Sequence, residues 1–350
     1  MGLHRQMAFN GRRLLLFLLL LSAWAPGRQL DWGAAPKVQR GVRLVSFKKD
    51  VPREKPLSKE AVDAKRKELE GKKLSQEIVN GYKAESRPMR INVMRIDLRV
   101  SGLRFTGTGR AEDWGDKMPD HATELIRTKR QRTADFMAEC RKAASEGGRG
   151  LDMIVACNSA PWLPWEPPYT HKFGNPVGLN ISDGIVIADN PNSTNAFFVV
   201  YKNGKIDIAD KIEVNPNDEK AKYDKVSLVA TGFEIIMKNG AKTPQASGGY
   251  SAPLMPRMAF GLDKERTHLF IVTVDGRLPG WSEGANGEDL FRIFKDAGAW
   301  DAINMDGGGS TTLCYWDSAK KTVRTVNRHG YAPNGYYRPC GMNMGLYIRP

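Results

Sequence analysis

Nine consecutive residues, Asn304-Met305-Asp306-Gly307-Gly308-Gly309-Ser310-Thr311-Thr312, put an amide, a carboxylate, three glycines and three hydroxyls at the end of a short apolar run, Ala302-Ile303. Side-chain bulk is missing where the main chain can approach a ligand closely, and a charge stands beside it. A glycine triplet costs conformational entropy, so it answers a geometric need such as a positive φ or a close contact. The plain alternative is a tight turn after a strand. A second stretch with chemical character is Cys157-Asn158-Ser159-Ala160-Pro161-Trp162-Leu163-Pro164-Trp165-Glu166-Pro167-Pro168-Tyr169. Its prolines restrict φ and lower the entropy of holding the rings in place. Exposed Trp162, Trp165 and Tyr169 would form a platform on which sugars stack; packed inward, they would be a lid on the core.

The elements that must position these residues are legible from periodicity. His268 to Val274 alternates two apolar faces, Leu269/Ile271 and Phe270/Val272/Val274, and reads as a central strand ended by Asp275-Gly276-Arg277. Glu288 to Ala297 is an amphipathic helix carrying Leu290, Phe291, Ile293 and Phe294, stopped by Gly298. The chain then re-enters a sheet at Asp301-Ala302-Ile303. Upstream, Gly41 to Phe47, Asn92 to Leu98 and Leu151 to Cys157 read as strands, and Thr133 to Ala144 as a helix. Asn203-Gly204 and Asn239-Gly240 are hairpin signals. Ser58 opens a charged helical pattern whose few apolar anchors are Ala61, Val62, Leu69 and Leu74, a solvated excursion across the surface. Many strands with a few packed helices indicate an α+β fold, a β-rich single catalytic domain with mixed or antiparallel sheets. The organisation expected is a signal peptide at 1–25, an N-terminal strand with the charged helical insertion at 26–90, and the main domain at 91–350.

Arg5, Arg12 and Arg13 precede the apolar run Leu14 to Leu21, and Ala23-Trp24-Ala25 offers a small-x-small cleavage site, with Ala34-Ala35 a later one. The run falls short of the ~20 residues that span a bilayer. The expectation is an exported protein, periplasmic or extracellular, with no stable membrane span in the mature chain. Removing residues 1–25 takes three arginines and no acids, lowering the formal charge from +14 to +11. That balance favours anionic partners such as acidic polysaccharide or phosphodiester. No finger spacing, basic zipper or RNP-like pattern accompanies it, so nucleic acid is not expected. The separations of Cys140, Cys157, Cys314 and Cys340 exclude a compact metal site. Cys314 with Cys340 is the first disulfide to test, and Cys157 reads as a buried thiol.

The C-terminal third resembles the phosphodiester glycosidase family. The matching segments are Pro256-Arg257-Met258-Ala259-Phe260-Gly261, Val274-Asp275-Gly276-Arg277, Trp281-Ser282-Glu283-Gly284-Ala285, Leu290 through Gly298, and Asp301 through Thr312, with Val326-Asn327 and Arg338 completing the series. Asn158 takes the place of the family's asparagine-containing loop. There the family continues with a glycine and an aromatic, whereas this chain has Ser159-Ala160-Pro161-Trp162; Met258 stands where threonine is common.

The resemblance implies hydrolysis of a glycosyl phosphodiester, a sugar-1-phosphodiester of N-acetylglucosamine or a related sugar, at the glycosidic C–O bond. Asp306 is then the carboxylate near the sugar carbon, as general base or as stabiliser of an oxocarbenium-like centre. Gly307, Gly308 and Gly309 would direct backbone N–H groups at phosphate oxygens, helped by Ser310 and Thr311. Arg257 and Arg338 would clamp the phosphate, because a guanidinium matches two of its oxygens at once. Asn158 and Asn304 would position sugar hydroxyls or the attacking water. Asp275 would hold Arg277 or another site arginine, or cap its turn, with Glu283 and Glu166 as reserve carboxylates. No cofactor is required, although Asp275, Asp306 and nearby carbonyls are hard oxygen donors of the kind calcium or magnesium takes. Two other classes compete: a non-catalytic exported binder of anionic glycans, and a metal-dependent phosphodiesterase.

Overall fold

Val42–Pro52 and Ser86–Asp97 pair antiparallel from Val42 opposite Ile96 to Pro52 opposite Ser86. The computed structural model describes residues 29–166, 170–190, 196–213, 215, 221–328 and 337–349. The expected signal peptide at 1–25 and Tyr169 lie outside the described residues. This long hairpin joins an eight-stranded sheet in the order Lys37–Gln39, Val42–Pro52, Ser86–Asp97, His268–Val274, Arg257–Leu262, Asp301–Asn304, Glu234–Lys238, Ala241–Lys242. The N-terminal strand is therefore part of the main sheet, and Ser86–Asp97 runs straight through the boundary expected at 90/91.

The alternation read in His268–Val274 divides two cores. Leu269 and Ile271 pack on one face with Phe260, Ile303 and Met305, while Phe270, Val272 and Val274 pack on the other with Leu290, Ile293 and Phe294. The helix Gly287–Ala297 covers that second face. Asn286 and Asp289 exchange side-chain-to-backbone bonds in a capping box, and Gly298 at φ +90° ends the helix. The first face is covered by two five-stranded sheets. One runs Thr322–Thr325, Leu313–Asp317, Asp152–Asn158, Asn343–Ile348, Leu103–Gly107, and contributes Leu313, Ile154, Val155 and Leu346 to the core. The other contains the expected hairpin, Phe197–Tyr201 with Ile206–Ala209, and contributes Phe198, Ile206 and Leu228. The molecule is a single α+β domain of antiparallel sheets with few packed helices.

The charged excursion forms the helices Lys59–Gly71, N-capped by Ser58, and Gln76–Gly81. The first buries only Val62 and Leu69. Its far end is docked against the 278–284 loop, where a Cβ at Gly81 would sit 2.0 Å from the Gly280 carbonyl oxygen. Arg53 meets Glu283 with both nitrogens, at 2.8 and 2.6 Å, so this reserve carboxylate is a structural anchor. No helix among the described residues is long and apolar enough to cross a membrane.

All four cysteines are buried free thiols. The pairing of Cys314 with Cys340 is not made: the Cys314 thiol lies against the Thr325 hydroxyl, and the Cys340 thiol against the Ser310 carbonyl.

Candidate active site

One end of the eight-stranded sheet gathers the residues that carry chemistry. Asp275 leaves the His268–Val274 strand and its N–H meets the Arg90 carbonyl at 3.0 Å. On the adjoining strands, Met305 N–H donates to the Met258 carbonyl and Gly308 N–H to the Pro256 carbonyl, at 2.9 and 2.8 Å. On the other side, Phe233 N–H reaches the Asn304 carbonyl at 2.8 Å. Across this end the order is thus Arg90, Asp275, Pro256, Asp306, Phe233. The Asp152–Asn158 strand of the second sheet arrives from below, and Asp306 N–H donates to the Ser159 carbonyl at 3.0 Å.

The glycine triplet is a tight turn. Gly308 has φ +57°, Ser310 N–H closes on the Gly307 carbonyl at 3.1 Å and Thr311 N–H on the Gly308 carbonyl at 3.4 Å. Of the three glycine N–H groups expected to face a phosphate, that of Gly308 is spent on the Pro256 carbonyl and that of Gly307 on the Asp306 carboxyl. The lack of side chains serves another purpose. A Cβ at Gly308 would come within 3.2 Å of Arg277 Nη2, and one at Gly309 within 2.5 Å of Arg338 Nη2. Two guanidinium groups rest on bare main chain.

Both arginines are half-buried, and both act on the Asp306 carboxyl. Burial pushes that carboxyl up to about 7, against the Ser310 hydroxyl, the charges of Arg338 and Arg277, and the Gly307 N–H, which pull it down. Its Oδ2 is buried without a hydrogen-bond partner among the described residues. An acid poised near neutrality, with one unpaired oxygen and two adjoining cations, is the combination expected of a group that exchanges a proton with a bound reactant.

Asp275 is a second acid raised by burial. It is buried, and loss of hydration raises it to about 7, opposed by the Arg328 N–H, Trp281 and the Arg90 and Arg328 charges. Its Oδ1 accepts the Arg328 N–H at 3.0 Å, so it holds the 327–328 segment. Arg90 and Arg328 flank the Trp281 ring, 3.4 and 4.9 Å from its centroid. Arg90, Arg277, Arg328 and Arg338 thus all lie at this end of the sheet.

Other expected roles are reassigned by burial. Arg257, 1% exposed, donates to the carbonyls of Ala285, Tyr250, Ser251 and Pro253. It anchors a loop and does not clamp phosphate. Asn158 uses both ends of its carboxamide on the motif: Nδ2 donates to the Asp306 carbonyl at 2.6 Å and Oδ1 accepts Thr312 N–H at 2.9 Å. It positions the turn, and being wholly buried it does not reach out to sugar hydroxyls. Asn304 points the other way, donating to Glu234 and to Ser251 Oγ, both at 3.1 Å. Thr311 is buried, its carbonyl held by Asn327 Nδ2 at 2.8 Å. Trp162 is buried under the Arg130 guanidinium, 4.3 Å from its ring, and against Gly341, where a Cβ would meet the indole at 2.6 Å. It is core, not platform; Trp165 is 56% exposed. Glu166 lies 3.2 Å from His121.

Arg277, whose Asp275-Gly276-Arg277 segment the sequence marks only as a strand end, is brought onto Gly308 beside Asp306. Its signal is position: it follows a strand end, whereas Arg257 heads a strand of wholly buried residues. Among the described residues no group of three or more His, Cys, Asp or Glu is placed to hold a metal ion.

The sequence profile of the phosphodiester glycosidase family matches residues 166–346, just over half of the chain. That span contains Arg277, Asp306, the glycines and Arg338. The fold is similar to the catalytic domain of zebrafish N-acetylglucosamine-1-phosphodiester alpha-N-acetylglucosaminidase, auto-inhibited by its pro-peptide, with a TM-score of 0.55 and 17% identity over 90% of this chain and 87% of that one. Two further structures align less closely: a hypothetical protein from Synechocystis (TM-score 0.44, 12% identity, 75% of this chain and 60% of that one) and a protein of Burkholderia pseudomallei K96243 (TM-score 0.47, 11% identity, 88% and 94%). No curated protein matches the sequence.

Proposed function

The chain belongs to the phosphodiester glycosidase family of hydrolases, and from that premise we propose that it hydrolyses a sugar-1-phosphodiester at the glycosidic C–O bond. The observation that carries this reading is the seating of Arg277 and Arg338 on Gly308 and Gly309, on either side of the motif that bears Asp306.

The phosphodiester is anionic and binds to the two guanidinium groups, each able to meet two phosphate oxygens. Its anomeric carbon then lies toward Asp306. Water attacks that carbon and the C1–O bond breaks, the electron pair passing to the phosphate oxygen. The products are the free sugar and a phosphomonoester. The ionised Asp306 takes the proton of the attacking water and steadies the positive charge that builds on the ring. The arginines stabilise the charge gained by the leaving phosphate, so no strong general acid is needed. Ser310 orients the carboxylate, and Asn158 holds its main chain. Asp275 acts at one remove, fixing the segment that carries Arg328.

Placement outside the cytoplasm rests on residues 1–25 of the sequence alone. The basic charge of the chain suits an anionic envelope polymer or glycan as the source of the substrate. The deciding experiment is hydrolysis of glycosyl phosphodiesters in oxygen-18 water. Label in the released sugar is the expected result. Label in the phosphate means P–O scission and overturns the mechanism, and binding of anionic glycans without any turnover returns the chain to the class of binders.

A further inference from the structure

Tyr250 is 57% exposed, yet it is not a loose surface ring. It stacks on Phe233 with ring centroids 4.3 Å apart and 24° between planes. Its backbone is pinned on both sides. Glu234 accepts Tyr250 N–H at 2.7 Å and the Ser251 hydroxyl at 2.8 Å. The buried Arg257 donates to the Tyr250 carbonyl at 2.7 Å and to the carbonyls of Ser251 and Pro253. A charged residue buried in the core thus serves to hold an exposed aromatic still, which makes the ring pre-organised.

The distribution of exposed apolar residues marks the same region. Among the described residues the large exposed hydrophobics are Leu163, Trp165, Ile185, Tyr250 and Leu254. All but Ile185 sit on two loops. The Tyr250–Leu254 loop runs into Pro256, whose carbonyl accepts Gly308 N–H, and the Leu163–Trp165 loop follows Ser159, whose carbonyl accepts Asp306 N–H. Single exposed hydrophobics are ordinary, but two pairs on segments each bonded to one motif direct attention to that end of the sheet.

Strand order identifies the occupant. Arg277 follows the His268–Val274 strand, Asp306 follows Asp301–Asn304, and Phe233 precedes Glu234–Lys238, the strand next to that of Asp306 on the side away from Arg277. Neighbouring strands are ~4.8 Å apart, about the width of a pyranose ring's reach from its anomeric carbon. A ligand with phosphate at the arginines and its anomeric carbon at Asp306 carries its sugar ring toward Phe233 and Tyr250. An aromatic face suits the C–H face of a pyranose.

We infer that the Tyr250–Phe233 stack is the platform for the sugar whose anomeric carbon is attacked. This rests on the proposed orientation of the phosphodiester but is tested by binding, apart from turnover. Calorimetry on the Asp306→Asn protein would use the methyl phosphodiesters of α-linked N-acetylglucosamine, glucose, galactose and mannose, with dimethyl phosphate as the ring-free control. The tightest of the four is then measured with Tyr250→Ala and Tyr250→Phe added. Stacking of this kind contributes about three- to tenfold in affinity. That loss is expected with Tyr250→Ala, with dimethyl phosphate within about twofold and Tyr250→Phe near the parent. Four sugars binding no tighter than dimethyl phosphate, unchanged sugar affinity in Tyr250→Ala, or an equal loss for dimethyl phosphate would each overturn the platform. Tyr250-dependent sugar binding alongside a wild-type enzyme that hydrolyses none of the four sinks the hydrolase reading alone.

Discussion

Arg338 occupies the space that a side chain at position 309 would fill: a Cβ on Gly309 would lie 2.5 Å from Arg338 Nη2 and 2.6 Å from its Cζ. The obstructed atoms belong to the far end of a flexible side chain, so the conflict is relieved by moving the guanidinium. Gly307 differs, since its Cβ would meet the Pro256 carbonyl oxygen, main chain, at 2.6 Å. Gly309→Ala is therefore expected to lower kcat/KM by about 10²-fold, the scale of losing one charge-stabilising donor, with little change in Tm. Gly307→Ala is expected to cost about 1–3 kcal/mol of stability through overpacking. Thermal denaturation and kinetics on the two variants separate these effects; a Gly309→Ala enzyme of full activity would show that the place of Arg338 does not matter.

Asp306→Asn should reduce turnover by about 10²- to 10⁴-fold, the contribution of a positioned base, with folding retained. Because burial lifts this carboxyl to about 7, wild-type kcat/KM is expected to rise with pH through that region as the base ionises. A rate that is flat from pH 5 to 9 would remove Asp306 from the proton transfer.

The two arginines that precede the motif separate by what they touch. Arg277→Ala should lower kcat/KM by about 10²- to 10³-fold with Tm nearly unchanged, since the side chain is half-buried on bare glycine. Arg257→Ala leaves four carbonyls without their donor, and a loss of at least about 3 kcal/mol is expected from stranded acceptors. Equal stability for the two variants, measured in urea, would contradict this division.

That division also shows where the sequence stopped being readable. The two-faced strand His268–Val274 and the helix ended by Gly298 obey local periodicity, and the sheet and its cover follow from them. The glycine triplet announced a need for space. What fills the space is fixed by residues far away in the chain, for Arg338 lies on Gly309 and Arg277 on Gly308 only after the sheets have assembled. Arg257 and Arg277 look alike in the sequence, one heading a strand and the other following one, and burial alone tells them apart. Trp162 looked like a platform because its neighbours are prolines, but the bare Gly341 lets the indole sink into the core. Tyr250 carries no local pattern at all, since its fixity comes from Glu234 and Arg257.

Asp275 gives a stability prediction with a definite sign. Its folded carboxyl titrates at about 7, above its ordinary value of 3.8, because burial disfavours the charge. The folded state therefore holds a proton that the unfolded chain releases, so unfolding becomes easier as pH rises from about 4 to about 7. Its contribution is fully present below the unfolded value and is lost through the folded one. Asn at this position keeps an oxygen to accept the Arg328 N–H and carries no charge to desolvate. Asp275→Asn should thus match wild type at pH 4 and exceed it at pH 8. Chemical denaturation at the two pH values reads the difference; a variant less stable than wild type at pH 8 would mean that the ionised acid is held by its arginines more strongly than burial opposes it.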